Sequence, residues 1–86
     1  MTKGEYRVGV DFNPGGSATV HDLKETAAAL IDMVEDISPV RADTLASTDQ
    51  GAALFNSEVW RLKALAQTAI EEGAMWAVKA ATKKPR

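Results

Sequence analysis

Few residues in this 86-residue chain could do catalytic chemistry. The sequence has one histidine and no cysteine, which excludes a histidine-based triad, a thiolate metal site and a cysteine nucleophile. His21 has no partners at metal-ligand spacing beyond its neighbour Asp22. Glu71 and Glu72 are adjacent, so on a helix they point about 100° apart and cannot form a paired-carboxylate site. We therefore predict a protein that is not an enzyme and that holds no metal or cofactor.

One cation stands apart from this pattern. Lys24 is the only formally positive residue between Arg7 and Arg41. It lies in the first turns of a predicted helix, where the helix dipole favours anions. Two interpretations remain open: Lys24 lies at the surface or pairs with an acidic neighbour, or it contacts a phosphate while an aromatic residue of the N-terminal arm stacks on a base.

Composition limits the class of protein. The chain is 45% hydrophobic and 26% charged, with a net charge of −2, and it has neither a signal peptide pattern nor an apolar run of membrane-spanning length. We expect one domain over residues 1–86, in the cytoplasm and without a membrane partner. The acidic balance disfavours DNA or RNA as a partner, because backbone binding needs a basic stripe. The basic tail, residues 83–86, is interpreted as a solvated terminus.

The elements that must position Lys24 begin with an N-terminal arm, residues 1–18. Its apolar residues alternate with polar residues and glycine with a period of two, which predicts an extended segment; they are Tyr6, Val8, Val10 and Phe12. Asn13-Pro14-Gly15-Gly16 then predicts a turn, since proline restricts φ and glycine permits positive φ. The glycine pair could instead cradle a phosphate before the helix, but a plain turn is favoured.

The first helix is predicted over about 19–37. Thr19 and Asp22 form an approximate capping box, and Ser38-Pro39 ends the helix. Lys24 lies off its apolar stripe, which recurs at steps of three and four residues. The stripe consists of Val20, Leu23, Ala27, Leu30, Ile31, Val34 and Ile37.

A second helix is predicted over about 57–82, with Ser57 as its cap. The connector before it contains a predicted turn at 48–51, and residues 41–46 could form a short helical turn. The helix carries a stripe rich in small residues, which lets another helix approach closely. That stripe consists of Val59, Leu62, Leu65, Ala66, Ala69, Ile70, Gly73, Trp76, Ala77 and Ala80.

These elements predict an all-α fold: a short extended arm followed by an antiparallel two-helix hairpin over 19–82. A hairpin of this size without disulfides or metal rarely has enough core to be stable alone, which favours a homo-oligomer. A second apolar face on the second helix supports this; it consists of Trp60, Ala64, Met75 and Val78, and Leu54 and Phe55 could add to it. The alternative is that the connector folds back over this face.

Several of these segments resemble the second-type phage anti-CBASS proteins, which are cyclic-oligonucleotide sponges. The resemblance covers both helices and the end of the arm, most of the chain apart from the connector. Its most specific part is Glu-Glu-x-x-Met-Trp-Ala, at residues 71–77. The segments are Phe12-Asn13-Pro14, Val20-His21-Asp22-Leu23-Lys24, Ala27 to Asp32 and Ile70 to Ala80.

The resemblance implies a homohexamer of helical hairpins that binds cyclic dinucleotides, such as cyclic GMP–AMP (cGAMP), between paired subunits. It implies that Phe12 stacks on a base and that Lys24 contacts phosphate. Family members tend to carry tyrosine in the arm, so Phe12 keeps the stacking face and loses a hydroxyl. The ligand would be sequestered in the host bacterial cytosol, which would block activation of the immune effector.

The resemblance also implies a separate pocket for cyclic trinucleotides, in which Thr26 would be one contact. The basic residue expected just after Thr68 is replaced by Ala69. Two other classes of function compete with the sponge. One is an oligomeric helical-hairpin module for protein–protein interaction without a nucleotide ligand. The other is a small DNA-binding regulator, which the pI of about 5.3 and the absence of a short turn between the helices disfavour.

Overall fold

The computed structural model describes residues 1–38 and 49–85. They form three helices: α1 (Lys3–Val8), α2 (Ala18–Glu35) and α3 (Asp49–Thr82). The C-terminal end of α2 lies beside residue 63 of α3, and its N-terminal part lies near residues 78–84. Two successive helices that meet in this order form an antiparallel hairpin. The predicted all-α hairpin is therefore confirmed for the described residues, which contain no strand.

The extended arm was a wrong prediction, because residues 3–8 form α1. The Thr2 hydroxyl accepts a hydrogen bond from the Glu5 backbone N–H at 3.1 Å, and the Glu5 carboxylate accepts one from the Thr2 N–H at 2.8 Å. This capping box satisfies two N–H groups that a short helix would otherwise leave unpaired. The local capping interaction outweighs the alternating apolar pattern, and α2 then covers one side of the helix.

The boundaries of α2 differ slightly from the prediction. Ser17, not Thr19, is the N-cap, and its hydroxyl accepts a hydrogen bond from the Val20 N–H at 3.3 Å. Thr19 is already helical, so the proposed box with Asp22 does not form the cap. Helix α2 ends at Glu35, two residues before the predicted end, and Asp36 is its C-cap.

Helix α3 begins eight residues before the predicted start. Ser57 lies inside the helix and is exposed, so it is not the cap, and residues 49–51 are helical where a turn was predicted. Alanine and leucine at 52–54 are strong helix formers that extend the helix backwards past Ser57. The possible helical turn at 41–46 lies outside the described residues.

The face of α2 that packs inward matches the predicted stripe only in part. Val20 and Ile31 of that stripe are buried, as is Ala28 beside it, whereas Leu30 is 45% exposed and Ile37 is 50% exposed. Lys24 is only 7% exposed and lies on the buried face, so the prediction that it lies off the packed stripe was wrong. The long aliphatic part of lysine can pack among apolar neighbours while its ammonium group reaches polar atoms.

The matching face of α3 has a polar centre. Lys63 and Gln67, one turn apart, are 5% and 2% exposed. The Lys63 ammonium donates hydrogen bonds to the carbonyls of Glu35 and Ile37, at 2.9 and 2.7 Å, and so caps the C-terminal end of α2. The Gln67 amide donates to the Ile31 carbonyl at 3.2 Å. Of the predicted stripe on α3, Leu62, Leu65 and Trp76 are half exposed or more.

Glu35 joins all three helices. Its carboxylate accepts hydrogen bonds from the Lys3 ammonium at 2.9 Å and from the Gln67 amide at 3.0 Å. These hydrogen bonds, the one from Lys3 first, hold the pKa of Glu35 below its ordinary value of 4.5. The hydrogen bonds among Lys3, Glu35 and Gln67 fix the position of α1 along the hairpin. They thereby fix where the loop that follows α1 begins.

The chain is elongated. Its radius of gyration is 17.2 Å, against about 12 Å for a compact domain of this length. Many large apolar side chains are exposed, as predicted for Trp60, Met75 and Leu54; Val78 is half-buried and lines a groove between the helices instead. None of the helices in the described ranges combines the length and apolar character that a membrane span requires.

Candidate ligand-binding site

The loop between α1 and α2 presents Phe12 to solvent. Gly9 ends α1 with a φ of 64°, a left-handed conformation that glycine adopts without strain. The Phe12 N–H then donates to the Gly9 carbonyl at 2.9 Å, which closes a tight turn. The Phe12 ring is left 72% exposed. An exposed aromatic ring on a hydrogen-bonded turn is suited to stacking on a planar ligand.

The second half of the loop is tied to the start of α2. The Asn13 side chain donates to the Ser17 carbonyl at 2.8 Å and accepts from the Ser17 N–H at 3.3 Å. The Gly16 N–H donates to the Asn13 carbonyl at 3.0 Å, and Gly16 has a φ of 63°. Because that N–H is already used inside the loop, residues 13–16 form the plain turn favoured by the sequence and not a phosphate cradle.

The buried side chain of Lys24, on α2, is hydrogen-bonded to the backbone of this loop. Its ammonium donates hydrogen bonds to the carbonyl oxygens of Gly9, at 3.0 Å, and of Phe12. The same nitrogen lies 5.4 Å from the centroid of the Phe12 ring, within cation–π range. The structure thus brings the two predicted site residues together within one chain. It also gives Lys24 a positioning role that the sequence analysis did not foresee.

A groove of about 580 Å³ opens beside this pair, within the usual range for a small-molecule site. Val20, Val78 and Ala81 give it an apolar surface, and the Phe12 loop lines it on one side. Three cations line it as well: Lys24, and Lys83 and Lys84 just beyond α3. The described residues that line the groove include no acidic side chain, although the chain has a net charge of −2.

A smaller cavity of about 210 Å³ shares Lys24 and Val78 with the groove. It is bounded by an ion pair in which Arg7 Nε donates to Glu71 Oε1 at 2.6 Å. Because Glu71 neutralises Arg7, this cavity is less suited to an anion than the groove. Arg7 instead fastens α1 to α3.

Thr26, the third predicted site residue, is not part of this groove. It is exposed on α2, and the described residues that line the groove do not include it. Ala69 is exposed on α3. The structure therefore brings together Phe12 and Lys24 and leaves Thr26 on a separate surface.

His21 has closer partners than the sequence analysis allowed. Its Nε2 lies 3.2 Å from Glu25 Oε1, one helical turn away, and these two residues and Asp22 offer ligand atoms within 4.8 Å of one another. All three side chains are exposed. Exposed acidic clusters of this kind are common on helix surfaces, so we assign no metal to it.

The sequence analysis missed the part of the groove formed by the C-terminal end of α3. Val78, Ala81, Lys83 and Lys84 line it, yet the tail was interpreted as a solvated terminus. A signal was present: in an antiparallel hairpin, the end of the second helix lies beside the start of the first. The predicted hairpin therefore already placed the tail near the loop that carries Phe12.

A helical hairpin that carries an exposed aromatic ring beside a basic groove has the features expected of a protein that binds a small anionic ligand. Comparison with known families agrees with this class, because the family model described as "Acb2/Tad1, hairpin domain" matches residues 4–82. The chain belongs to the Acb2/Tad1 hairpin family, the anti-CBASS family of cyclic-oligonucleotide sponges, which bind ligands rather than act as enzymes. The resemblance found in the sequence is thereby confirmed. No curated protein and no solved structure matches the chain significantly.

Proposed function

We propose that this protein is a phage sponge that sequesters cyclic dinucleotides such as cyclic GMP–AMP and so blocks activation of the host immune effector. The observation that carries the proposal is the groove, in which an exposed Phe12 ring meets three lysines and no described acidic residue. A cyclic dinucleotide offers the complementary groups: two planar bases and two phosphates. The host bacterial cytosol is the proposed site of action, because the effector must be denied its signal there.

Sequestration requires affinity and no chemical step. A nanomolar dissociation constant corresponds to about −12 kcal/mol. Stacking of bases on aromatic rings is worth ~1–3 kcal/mol per base. Charge-assisted contacts to phosphate and a preorganised loop would supply the remainder. Lys24 supports preorganisation, because its two hydrogen bonds hold the Phe12 turn in place before any ligand arrives.

We place the ligand between subunits of a homo-oligomer, with six subunits as the number implied by the resemblance. The elongated shape and the exposed Leu65, Met75 and Trp76 support an assembly, because a single chain leaves these side chains in water. A two-fold interface would present the Phe12 groove twice, which suits a ligand with two bases and two phosphates.

Cyclic trinucleotides are proposed as a second, weaker class of ligand. Thr26 is exposed away from the Phe12 groove, as a separate pocket would require. Ala69 offers no charge to a phosphate, so we expect affinity for cyclic trinucleotides to be lower than for cyclic dinucleotides.

The competing proposal is a protein–protein interaction module without a nucleotide ligand. The exposed apolar side chains of α3, such as Leu54 and Trp60, favour it as well. The two proposals differ in their response to ligand. Cyclic GMP–AMP should raise the melting temperature of a sponge, since a ligand that binds only the folded state stabilises it, and should leave an interaction module unchanged.

Isothermal titration calorimetry with cyclic GMP–AMP tests the proposal directly. Phe12→Ala should weaken binding by about five- to 150-fold, the equivalent of ~1–3 kcal/mol of stacking, without unfolding the chain. Phe12→Tyr keeps the ring and should bind as well as the wild type or better. Tyr6→Ala is the matched control, because Tyr6 is 78% exposed on α1 and is outside the groove. No heat with wild-type protein, or equal affinity in Phe12→Ala, would refute the proposal.

Lys24→Ala should reduce affinity by about ten- to 150-fold, from ~1.5–3 kcal/mol for hydrogen bonds to a charged group. Because Lys24 is buried and bonded to two carbonyls, we also expect a lower melting temperature. A double-mutant cycle with Phe12→Ala separates its two roles. If Lys24 acts by holding Phe12, the two losses should be less than additive; fully additive losses indicate a direct phosphate contact.

A further inference from the structure

Lys24 alone cannot supply enough hydrogen-bond donors and positive charge for the phosphates of a cyclic dinucleotide bound in the groove. The Lys24 ammonium has three N–H donors, and two of them are used on the carbonyls of Gly9 and Phe12. Lys24 is 7% exposed, and its ammonium also makes a cation–π contact with the Phe12 ring, whose centroid is 5.4 Å away. At most one donor remains for a ligand oxygen, whereas each phosphate presents two unesterified oxygens. Even when each of two paired subunits contributes one Lys24, the two phosphates therefore need further cations along the groove.

Lys83 and Lys84 are the described cations that line the groove besides Lys24. They follow directly after Thr82, the last residue of α3, so helix geometry no longer restrains where their side chains point. Both are exposed, and neither has a hydrogen bond or an ion pair from its side chain to an acidic group among the described contacts. Their ammonium groups can therefore turn toward an anion without breaking an existing bond.

Lys79 provides an internal comparison. It lies one helical turn before Lys83 and carries the same charge, but its ammonium lies 5.6 Å from the Trp76 ring centroid and does not line the groove. The same stretch of chain thus has one lysine placed away from the groove and two placed on it. Lys83 and Lys84 differ from Lys79 in position and not in charge, so a binding effect specific to the two tail lysines cannot come from positive charge alone.

We infer that Lys83 and Lys84, which line the groove together with the Phe12 loop, are ligand-binding residues that supply the phosphate contacts Lys24 cannot make. This inference rests on the proposed function and deepens it. The tail charges bind the phosphates, Phe12 takes a base, and Val78 and Ala81 contact the apolar parts of the ligand.

Calorimetry with cyclic GMP–AMP on three charge-matched single variants and one double variant tests the inference. Lys83→Ala and Lys84→Ala should each weaken binding by about two- to fivefold, the range for an exposed charge pair, and the double variant should weaken it by more. Lys79→Ala removes the same charge and should bind within about 1.5-fold of wild type. Circular dichroism should show no loss of helix in any of these variants, because the two tail lysines lie outside α3 and alanine at the exposed position 79 favours a helix.

Ionic strength provides an independent measurement. Contacts between exposed charges weaken as salt screens them, so affinity of the wild type should fall more steeply with sodium chloride than that of the Lys83→Ala/Lys84→Ala variant. Equal slopes, or equal loss in Lys79→Ala and the tail variants, would overturn the inference and assign the effect to net charge alone. Phe12→Ala keeps this outcome separate from the proposed function: wild-type binding that depends on Phe12 but not on the tail refutes only the inference. Absence of wild-type binding refutes both.

Discussion

Gly4 of α1 lies directly against the backbone of Ala28 in α2. A Cβ atom added at Gly4 would lie 2.7 Å from the Ala28 carbonyl carbon and 2.8 Å from its Cα, and would overlap the carbonyl oxygen. The Gly4 N–H also donates to Asp32 Oδ1 at 2.7 Å. A six-residue helix is unstable alone, so this close approach and this hydrogen bond hold α1 in place. The position of the Phe12 loop, which begins where α1 ends, depends on both.

Gly4→Ala should therefore displace α1. The atoms it would meet belong to the backbone and cannot rotate away, so we expect a loss of about 1–3 kcal/mol in the free energy of unfolding and weaker binding in the Phe12 groove. Gly73→Ala is the matched control. Gly73 lies in α3 with no atom within 4 Å of an added Cβ, so this change should stabilise the helix by roughly 0.5–1 kcal/mol. Thermal melting that shows the same sign for both variants would contradict this account of α1 docking.

Lys63 is predicted to matter through its ammonium group. Lys63→Met keeps most of the aliphatic stem but removes both hydrogen bonds to the carbonyls at the end of α2. We expect a loss of about 1.5–3 kcal/mol in the free energy of unfolding, since two partly buried hydrogen bonds to a charged donor would be lost. Lys79→Met, at an exposed position, should change it by less than ~0.5 kcal/mol. Urea denaturation measures both, and equal stabilities would show that water replaces the Lys63 contacts without cost.

Glu35 makes the stability of the chain sensitive to acid. Hydrogen bonds from Lys3 and Gln67 lower its pKa from 4.5, so the folded state favours the ionised carboxylate. The stabilising contribution is complete above pH 4.5 and is lost as the pH falls through the lowered pKa. Wild type should thus melt at a higher temperature than Glu35→Gln at pH 7, and the difference should shrink as the pH falls below 4.5. A difference that stays constant down to pH 2 would contradict this role.

Glu58 is the comparison for Glu35. Hydrogen bonding to Arg61 lowers the pKa of Glu58 as well, but the pair spans only three residues on the exposed surface of α3. Glu58→Gln should show the same direction of pH dependence with a smaller change in melting temperature, because exposed pairs contribute little to stability.

The apolar surface of α3 gives a prediction for assembly. Trp60 and Trp76 are 52% and 60% exposed, so Trp60→Glu and Trp76→Glu place a charge on that surface without filling an internal space. We expect either change to shift the protein toward smaller species, or to prevent folding where the fold depends on assembly. Light scattering reports the mass and circular dichroism the helix content. A folded wild-type monomer of 9.2 kDa would contradict the proposed assembly.

The sequence predicted the hairpin because its apolar residues recur with a helical period, but it predicted the inward-packing faces only in part: Val20 and Ile31 are buried as expected, whereas other buried positions are polar. Hydrophobic periodicity treats lysine and glutamine as solvent-facing, whereas Lys24, Lys63 and Gln67 are buried with their polar atoms on backbone carbonyls. Such burial depends on unpaired carbonyls that exist only after a loop or a helix end has formed. The signal for α1 was local, in the spacing of Thr2 and Glu5, and the alternating apolar pattern concealed it.

The candidate site was likewise predicted in part, and the rest of it depends on the folded backbone. Phe12 and Lys24 were identified from residue type and resemblance, and the structure brings them together. Their exact relation could not be predicted, because Lys24 bonds to carbonyls that only the folded turn of Gly9 and Phe12 presents. The tail lysines are exposed, as expected for a solvated terminus, but the antiparallel topology also places them along the groove, which residue type alone does not indicate.

The elongated shape has a consequence for hydrodynamic measurements. With dimensions of 61 × 26 × 14 Å, a single chain meets more friction in solution than a sphere of its mass. On a gel-filtration column calibrated with globular standards, a lone chain would elute early, at the volume of a heavier particle. An early peak could therefore be read as a small oligomer where none exists. Sedimentation equilibrium and static light scattering do not depend on shape in this way, so subunit number should be assigned from them.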